Sequence, residues 1–354
     1  MAEVENIVAQ TAERIFADLA DAQTINHDKA GGWKAPLWRA LTEAGLPLSW
    51  VSEDCGGSGA SLAEGFSVLS AAGRFALAVP LAETMLAGWL LSQAKIVSPE
   101  GAMTVAPAGP KDRITLGVDG TLSGRARSIP FARDTSHIAV LAHGTGGLSI
   151  ALVEATACRI EAGLNLGGDG SDTVTFSRTA PAAIAPAPAG FDQTSLLLMG
   201  AVVRSLQIAG SLESMLDITV RYSNERVAFE KKISKFQAVQ HNLAKLAGES
   251  AAALAAATSA ADTLASGAPS NDAVFLEAAS AKIRCSEAAE KGASIAHQVH
   301  GAIGFTVEHI LHRYSLRALA WRDDFGSESY WAVELGKRVA GRGADELWPL
   351  VASR

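Results

Sequence analysis

The hydrophobic period changes twice along the chain. Up to about residue 98, apolar residues recur at three- and four-residue steps: Leu37 and Leu41 within Ala35-Pro36-Leu37-Trp38-Arg39-Ala40-Leu41, then Leu62, Phe66 and Leu69, then again beyond Leu81. That spacing predicts amphipathic helices. Gly45 stops one of them, and Glu53-Asp54-Cys55-Gly56-Gly57-Ser58-Gly59 breaks the pattern before the next. From Gly101 to about Pro188 the texture is different. Short Val/Ile/Thr-rich runs such as 113–118, 137–142, 148–153 and 173–176 lie between Gly, Pro and Asp, which predicts a small antiparallel barrel or sandwich. Ala182 to Ala189, rich in Ala and Pro, is expected to be a linker. Helical spacing then returns. Asp192 is placed to cap a helix over 193–224, followed by helices over 235–266, 271–300 and 306–323 and one more after 327. Gly267-Ala268-Pro269-Ser270 is a turn, with Ser270 or Asn271 capping the next helix. Four long amphipathic helices in succession predict a bundle. The expected fold class is therefore α+β: an N-terminal helical domain (1–98), a middle antiparallel β-domain (99–190) and a C-terminal four-helix bundle (191–354). Junctions between such units are common places for cofactors.

Composition narrows the function. The chain has 354 residues, 48% hydrophobic and 19% charged, with a net charge of −7. That balance argues against nucleic acid as a partner, since its readers carry a basic face. No run of about 18 uncharged apolar residues stands out, Leu86 to Ala94 being the nearest, so membrane insertion is not expected. The acidic start, Met1-Ala2-Glu3-Val4-Glu5, lacks the basic region of a signal peptide. A cytoplasmic protein is the expectation. Cys55, Cys158 and Cys285 are far apart and odd in number, which fits reduced thiols better than disulfides or a zinc ribbon.

The chemistry-bearing residues cluster in the helical C-terminal part. Gln298-Val299-His300-Gly301-Ala302-Ile303-Gly304-Phe305 interrupts an Ala/Leu-rich region that needs no glycine-rich break to pack. Arg226-Val227-Ala228-Phe229 and Phe236-Gln237 flank the junction of the first two bundle helices. An open backbone with an Arg and a Gln suits a large phosphate-bearing cofactor, because a diphosphate favours a planar cation with several donors. His297 and His300, and His309 and His312, are three residues apart and share helical faces. A polar ring inside the glycine stretch beside a cofactor or substrate is preferred to metal ligation, and no metal is expected. Gly167-Gly168-Asp169-Gly170-Ser171 lacks the context of a P-loop and is expected to be a β-turn. No Gly-x-Ser-x-Gly elbow supports hydrolysis.

Together these motifs resemble the acyl-CoA dehydrogenase flavoprotein family. Gln298-x-x-Gly301-x-x-Gly304-Phe305 resembles its Gln-x-x-Gly-Gly-x-Gly-Tyr/Phe stretch, with Ala302 at the second glycine. Arg226-x-x-Phe229 and Phe236-Gln237 resemble its helix–loop–helix. Trp38 to Leu46, Glu53 to Gly59, Pro80 to Thr84 and several β-runs extend the likeness over nearly the whole chain. The resemblance implies FAD as cofactor and an acyl-CoA as substrate, dehydrogenated between its α and β carbons. It also implies an electron-transfer acceptor and an oligomer in which Arg226 and Gln237 reach the cofactor across a subunit interface, with Phe229, Phe236, Gln298, His300, Gly301 and Ala302 as further cofactor-binding residues.

The sequence departs from the family at the catalytic base. Most members carry a glutamate at the position that, counted from Gly301, is Phe325. Others carry it at the position that, counted back from Arg226, falls near Gly200. Neither residue can take a proton. Asp324, one residue away, is the candidate catalytic residue, its alternative being a solvated acidic helix end. Glu308 is given a role in the first turn of its helix. The family's Thr-Glu-Pro-x-x-Gly-Ser-Asp segment is absent around 105–110, and Ser128-Ile129-Pro130 stands where Trp-Ile-Thr/Ser is usual. Glu308-His309-x-x-His312 and Phe325-Gly326 resemble a short bacterial branch that acts on steroid and other unusual acyl-CoAs, some members forming heteromers with a related dehydrogenase subunit. The competing expectation is a non-catalytic scaffold subunit that completes a partner's FAD site. A flavoenzyme of the same fold doing hydroxylation or nitroalkane-type oxidation is a third.

Overall fold

The computed structural model of the protein describes residues 6–28, 30–267 and 271–352. The acidic start at residues 1–5 and residues 268–270 of the interhelical turn lie outside them. Five helices come first: α1 (Ile7–Leu19), α2 (Ala22–His27), α3 (Lys34–Glu43), α4 (Leu62–Arg74) and α5 (Leu81–Gln93). A capping box starts α4: Ser61 Oγ accepts from Glu64 N while the Glu64 carboxylate accepts from Ser61 N. Helix α5 is buried on all sides from Leu81 to Leu91, as expected of a helix with no polar stripe. Its Thr84 Oγ1 accepts from Met103 N at 3.0 Å and so ties it to the first strand.

The strands are β1 (Met103–Ala106), β2 (Ile114–Leu116), β3 (Leu122–Pro130), β4 (His137–Gly144), β5 (Gly147–Glu154), β6 (Arg159–Glu161), β7 (Ser171–Thr179) and β8 (Ala183–Pro186). They form one sheet in the order β6-β7-β3-β2-β4-β5-β8, with β1 added to β4. Most ladders are antiparallel, as the alternating runs predicted. Two are parallel: β1 on β4, with Val105 opposite Ala139, and β2 on β4, with Ile114 opposite Ala142. The expected linker at 182–189 is corrected by β8, which pairs with β5, Ile184 opposite Ala151 and Pro186 opposite Ser149. A proline is tolerated there because β8 is an edge strand with no further neighbour to receive its missing N–H.

The C-terminal half holds α6 (Gln193–Glu225), a two-residue hairpin β9 (Val227–Ala228) and β10 (Lys231–Lys232), then α7 (Gln237–Ser266), α8 (Asp272–His300), α9 (Leu311–Trp321), α10 (Glu328–Arg342) and α11 (Leu347–Ala352). Asp192 caps α6 by accepting from Ser195 N at 2.8 Å, and Asn271 caps α8 by accepting from Ala273 N at 2.9 Å. Each such cap is worth about 1 kcal/mol. Helices α6 and α8 run parallel. A Cβ on Gly292 would lie 2.4 Å from Leu212, and ten residues further along α6 the Tyr222 hydroxyl donates to the His300 carbonyl. Helix α6 corrects one expectation. It contains an 18-residue window of mean hydropathy 1.5, long and apolar enough to cross a membrane, yet wholly buried inside the protein. The lone Arg204 in that stretch hid it from a search for uncharged runs.

Candidate active site

A cavity of about 970 Å³ opens between the sheet and the bundle, near the upper end of the sizes that hold small molecules and cofactors. One wall is the loop Ala108–Asp112 with Arg127 and Ser128 of β3; the other is the turn from α9 into α10, with Asp324, Gly326 and Tyr330. The register of β3 against β7 shifts between Ala126 and Ile129, and Ser128 sits at φ 53°. The bulge aims Arg127 and Ser128 at the cavity, a common use of bulges beside functional sites. Arg127 then grips Asp112 through Nε at 3.0 Å and Nη2 at 2.7 Å. Gln193 Nε2 donates to the carbonyls of Gly109 and Asp112, both at 3.2 Å, so the first residue of α6 holds the loop in place.

Asp324 is on this wall. Its Oδ2 accepts from Arg204 Nε at 2.9 Å, and no described residue donates to its Oδ1. Arg204, 2% exposed, also donates to Glu83 Oε1 and to Gln207 Oε1, each at 2.6 Å. One guanidinium thus joins α5, α6 and the α9–α10 turn through charge-assisted bonds. Burial pushes the Glu83 carboxyl up from its ordinary value, and Arg204 opposes that shift. Beside them lies Lys282 of α8, fully buried, its Nζ donating to the Trp321 carbonyl. Burial pulls its ammonium down to about 7. The sequence reading missed Glu83, Arg204 and Lys282. A signal was present for Arg204: it is the only charge between Asp192 and Glu213, and a lone charge in an apolar helix must be buried and paired.

Phe325 and Gly200, the two positions counted separately as lacking the base, prove to be in contact. A Cβ on Gly200 would lie 2.2 Å from Phe325 Cγ. The phenyl ring fills the place of the missing side chain and is 1% exposed. Phe325 at φ 54° and Gly326 at φ 96° turn the chain, and Trp331 Nε1 donates to the Phe325 carbonyl at 3.1 Å. Neither residue brings a carboxylate to the cavity; Asp324, next along, does.

None of the eight predicted cofactor-binding residues lines that cavity. They gather at the opposite end of the bundle, where α6 ends and α8 ends. Asp324 is bonded to Arg204, and Arg226 lies 22 residues further along α6, about 33 Å at 1.5 Å per residue. Arg226, Gln237 and Gln298 are exposed there, and no described residue bonds their side chains. Phe229, 89% exposed, meets Phe236 edge to face at 6.2 Å. From 221 to 235 there are five cations (Arg221, Arg226, Lys231, Lys232, Lys235) against two acids (Glu225, Glu230), a basic rim on an acidic chain that the sequence reading did not single out. Gly301, at φ 66°, would have nothing within 4 Å of an added Cβ, and Ala302 is exposed, so the backbone there is open to a ligand. These groups fit a flavin adenine dinucleotide: unpartnered donors for a diphosphate, aromatic faces for an adenine and a backbone that can be approached closely.

His300 is placed otherwise than expected. Its ring is 4% exposed and stacked on Tyr222 at 4.3 Å, with His309 at 4.7 Å on another side. Nδ1 lies 2.8 Å from the Ala296 carbonyl and therefore carries the proton; buried Nε2 has no partner. Burial pulls the ring down to about 4. It buttresses the Gly301 turn from inside and does not present its ring at the surface. His297, His309 and His312 are half-buried, their titration likewise lowered by burial.

Comparison with known proteins places this geometry. Residues 190–329 match the family model described as acyl-CoA dehydrogenase, C-terminal domain. The chain is 28% identical to acyl-CoA dehydrogenase IpdE2 of Mycobacterium tuberculosis over 351 residues, 98% of each chain. Its fold is similar to that in the crystal structure of the ChsE4-ChsE5 complex from Mycobacterium tuberculosis, with a TM-score of 0.84 at 23% identity over 96% of this chain and 98% of that one. It is also similar to the FAD complex of PigA, with a TM-score of 0.81 at 19% identity over 97% and 99%.

Proposed function

We propose that this chain, whose residues 190–329 match the acyl-CoA dehydrogenase C-terminal domain and which is similar to IpdE2 over nearly its whole length, is a subunit of an FAD-dependent enzyme of that family, dehydrogenating an acyl-CoA thioester between its α and β carbons. The observation that carries the reading is the placement of Asp324 on the wall of the 970 Å³ cavity with one oxygen held by Arg204 and the other free. A base must lie within hydrogen-bond reach of the α-proton it removes. Asp324 Oδ1 is the carboxylate oxygen positioned for that, and Arg204, itself fixed by Glu83 and Gln207, holds the carboxylate in one orientation. When bound, the flavin supplies the acceptor for the hydride leaving the β carbon.

The second half of the site comes from another chain. Arg226 and Gln237 would hold the FAD diphosphate and adenosine of the neighbouring subunit, Phe229 and Phe236 would pack on its adenine, and Gln298, Gly301 and Ala302 would let the cofactor approach. A separation of about 33 Å keeps these groups from serving the carboxylate of their own chain. The neighbour is a second copy or a related dehydrogenase subunit; the similar fold in the ChsE4-ChsE5 complex, solved as a complex, supports association. The electrons then leave to an electron-transfer acceptor, and the acyl group is of the steroid-side-chain class on which the resembling short bacterial branch acts.

The test is the visible spectrum of the purified protein with its flavin-to-chain ratio. A yellow protein near one FAD per chain, bleached anaerobically by an acyl-CoA, is the result expected of a self-associating enzyme. A colourless chain that becomes yellow and bleachable only on mixing with a related subunit establishes the heteromer. A chain that stays flavin-free with every such subunit overturns the proposal.

A further inference from the structure

A second recess, of about 540 Å³, lies where the N-terminal helices, the 163–171 turn of the sheet and the start of α9 meet. Asn26 Nδ2 closes one side by donating to the Val307 carbonyl at 2.9 Å. Two arginines one helical turn apart, Arg313 and Arg317, face into it. Like charges at that spacing destabilise a helix. Arg317 is neutralised: its Nε and Nη2 donate to both Asp169 oxygens at 2.8 Å. Arg313 is not. Its Nε and Nη2 are shut away from solvent with no partner, and burial together with Arg317 pulls its guanidinium down to about 10.

The rest of the recess increases the imbalance. Lys34 adds a third cation to the lining. The second carboxylate, Asp28, is already occupied, accepting from Ala30 N at 3.1 Å and Trp33 N at 3.2 Å. Three cations therefore face two carboxylates whose lone pairs are largely spoken for. Arg313 also sits in the first turn of α9, where the helix dipole disfavours a cation. A partly buried guanidinium with two shielded, unpartnered nitrogens is unfavourable unless something supplies the missing charge.

We infer that this recess binds a phosphate group, held by Lys34 and by the part of the Arg313 guanidinium that borders the recess. A phosphate supplies the negative charge that three cations beside two carboxylates lack. The site is distinct from the dehydrogenation cavity, although the 163–171 turn borders both. Two sources carry the chemistry: free phosphate, or a phosphate of the coenzyme portion of the thioester substrate.

The probe is inorganic phosphate, followed by thermal unfolding of the whole protein in chloride matched for ionic strength. The inference expects saturable stabilisation by phosphate that Arg313→Gln weakens at least tenfold and that Arg159→Gln, which does not line the recess, leaves within a factor of two. Lys34→Gln, at an exposed position, is expected to weaken it by a smaller factor and serves if the Arg313 variant does not fold. Coenzyme A displacing phosphate where its 3′-dephospho form does not identifies the coenzyme as the source. Failure of both to displace identifies free phosphate. Stabilisation no greater than that by chloride, or equal loss in the Arg159 and Arg313 variants, overturns the inference. The readout is independent of flavin and turnover, so it stands or falls apart from the proposed reaction.

Discussion

Replacing Gly200 by alanine probes the contact that took the place of the family's base. The new Cβ would lie 2.2 Å from Phe325 Cγ and 2.3 Å from its Cδ1, whereas carbons pack at about 3.5–4.0 Å. The ring has little room to yield, being 1% exposed on a backbone whose carbonyl is bonded by Trp331. Overpacking of this kind costs about 1–3 kcal/mol. Alanine in a helix interior returns up to about 1 kcal/mol over glycine. The expected effect of Gly200→Ala alone is a net loss of up to about 2 kcal/mol. Phe325→Ala alone leaves a cavity and costs about 3–5 kcal/mol. With the ring gone the methyl meets no obstacle, so Gly200→Ala in the Phe325→Ala background becomes stabilising by about 1 kcal/mol. The assay is urea unfolding of the four proteins at one concentration, with m checked for constancy. A Gly200→Ala effect of the same sign and size in both backgrounds would refute the packing argument, since contacting residues must couple.

Asp324→Asn keeps the shape of the carboxylate and is expected to lower kcat by about 10²–10⁴-fold with flavin content unchanged; a rise in KM alone would show that Asp324 binds without acting as base. Arg226→Ala and Gln237→Ala are expected to lower the flavin-to-chain ratio while changing the stability of the flavin-free chain by no more than about 0.5 kcal/mol, because both side chains are exposed; unchanged flavin content argues against their role. His300 titrates near 4 when folded and near 6.5 when unfolded. The unfolded state therefore binds the proton first, and stability falls as pH drops from 6.5 to 4, by up to about 3 kcal/mol. His300→Asn is expected to flatten the dependence of Tm on pH in that window, and an unaltered slope would show that other groups carry it.

The bundle was legible because its signals agree. Asp192 and Asn271 cap where expected, and apolar spacing persists between them. The sheet was legible as strands but not as pairing. Nothing local tells β1 and β2 to run parallel to β4, and Ala183–Pro186 is too poor in β-branched residues to be read as a strand. The gathering of the candidate cofactor-binding residues at one end of the bundle was legible because they are close in sequence to two helix ends. The Glu83–Arg204–Asp324 network was not, since its members are 121 and 120 residues apart and only the fold brings them together. Counting from motifs nevertheless located Phe325 and Gly200, and their contact supports both counts.

The distance between Asp324 and Arg226 has a genetic consequence. If the site is shared between subunits as proposed, a chain that has lost one end still offers the other, so two chains with different defects can assemble one intact site between them. Duplicate genes for such a fold are free to decay at opposite ends, each copy unable to work alone and neither dispensable. A lone inactive chain of this architecture is then best understood as one member of a complementing pair of duplicates.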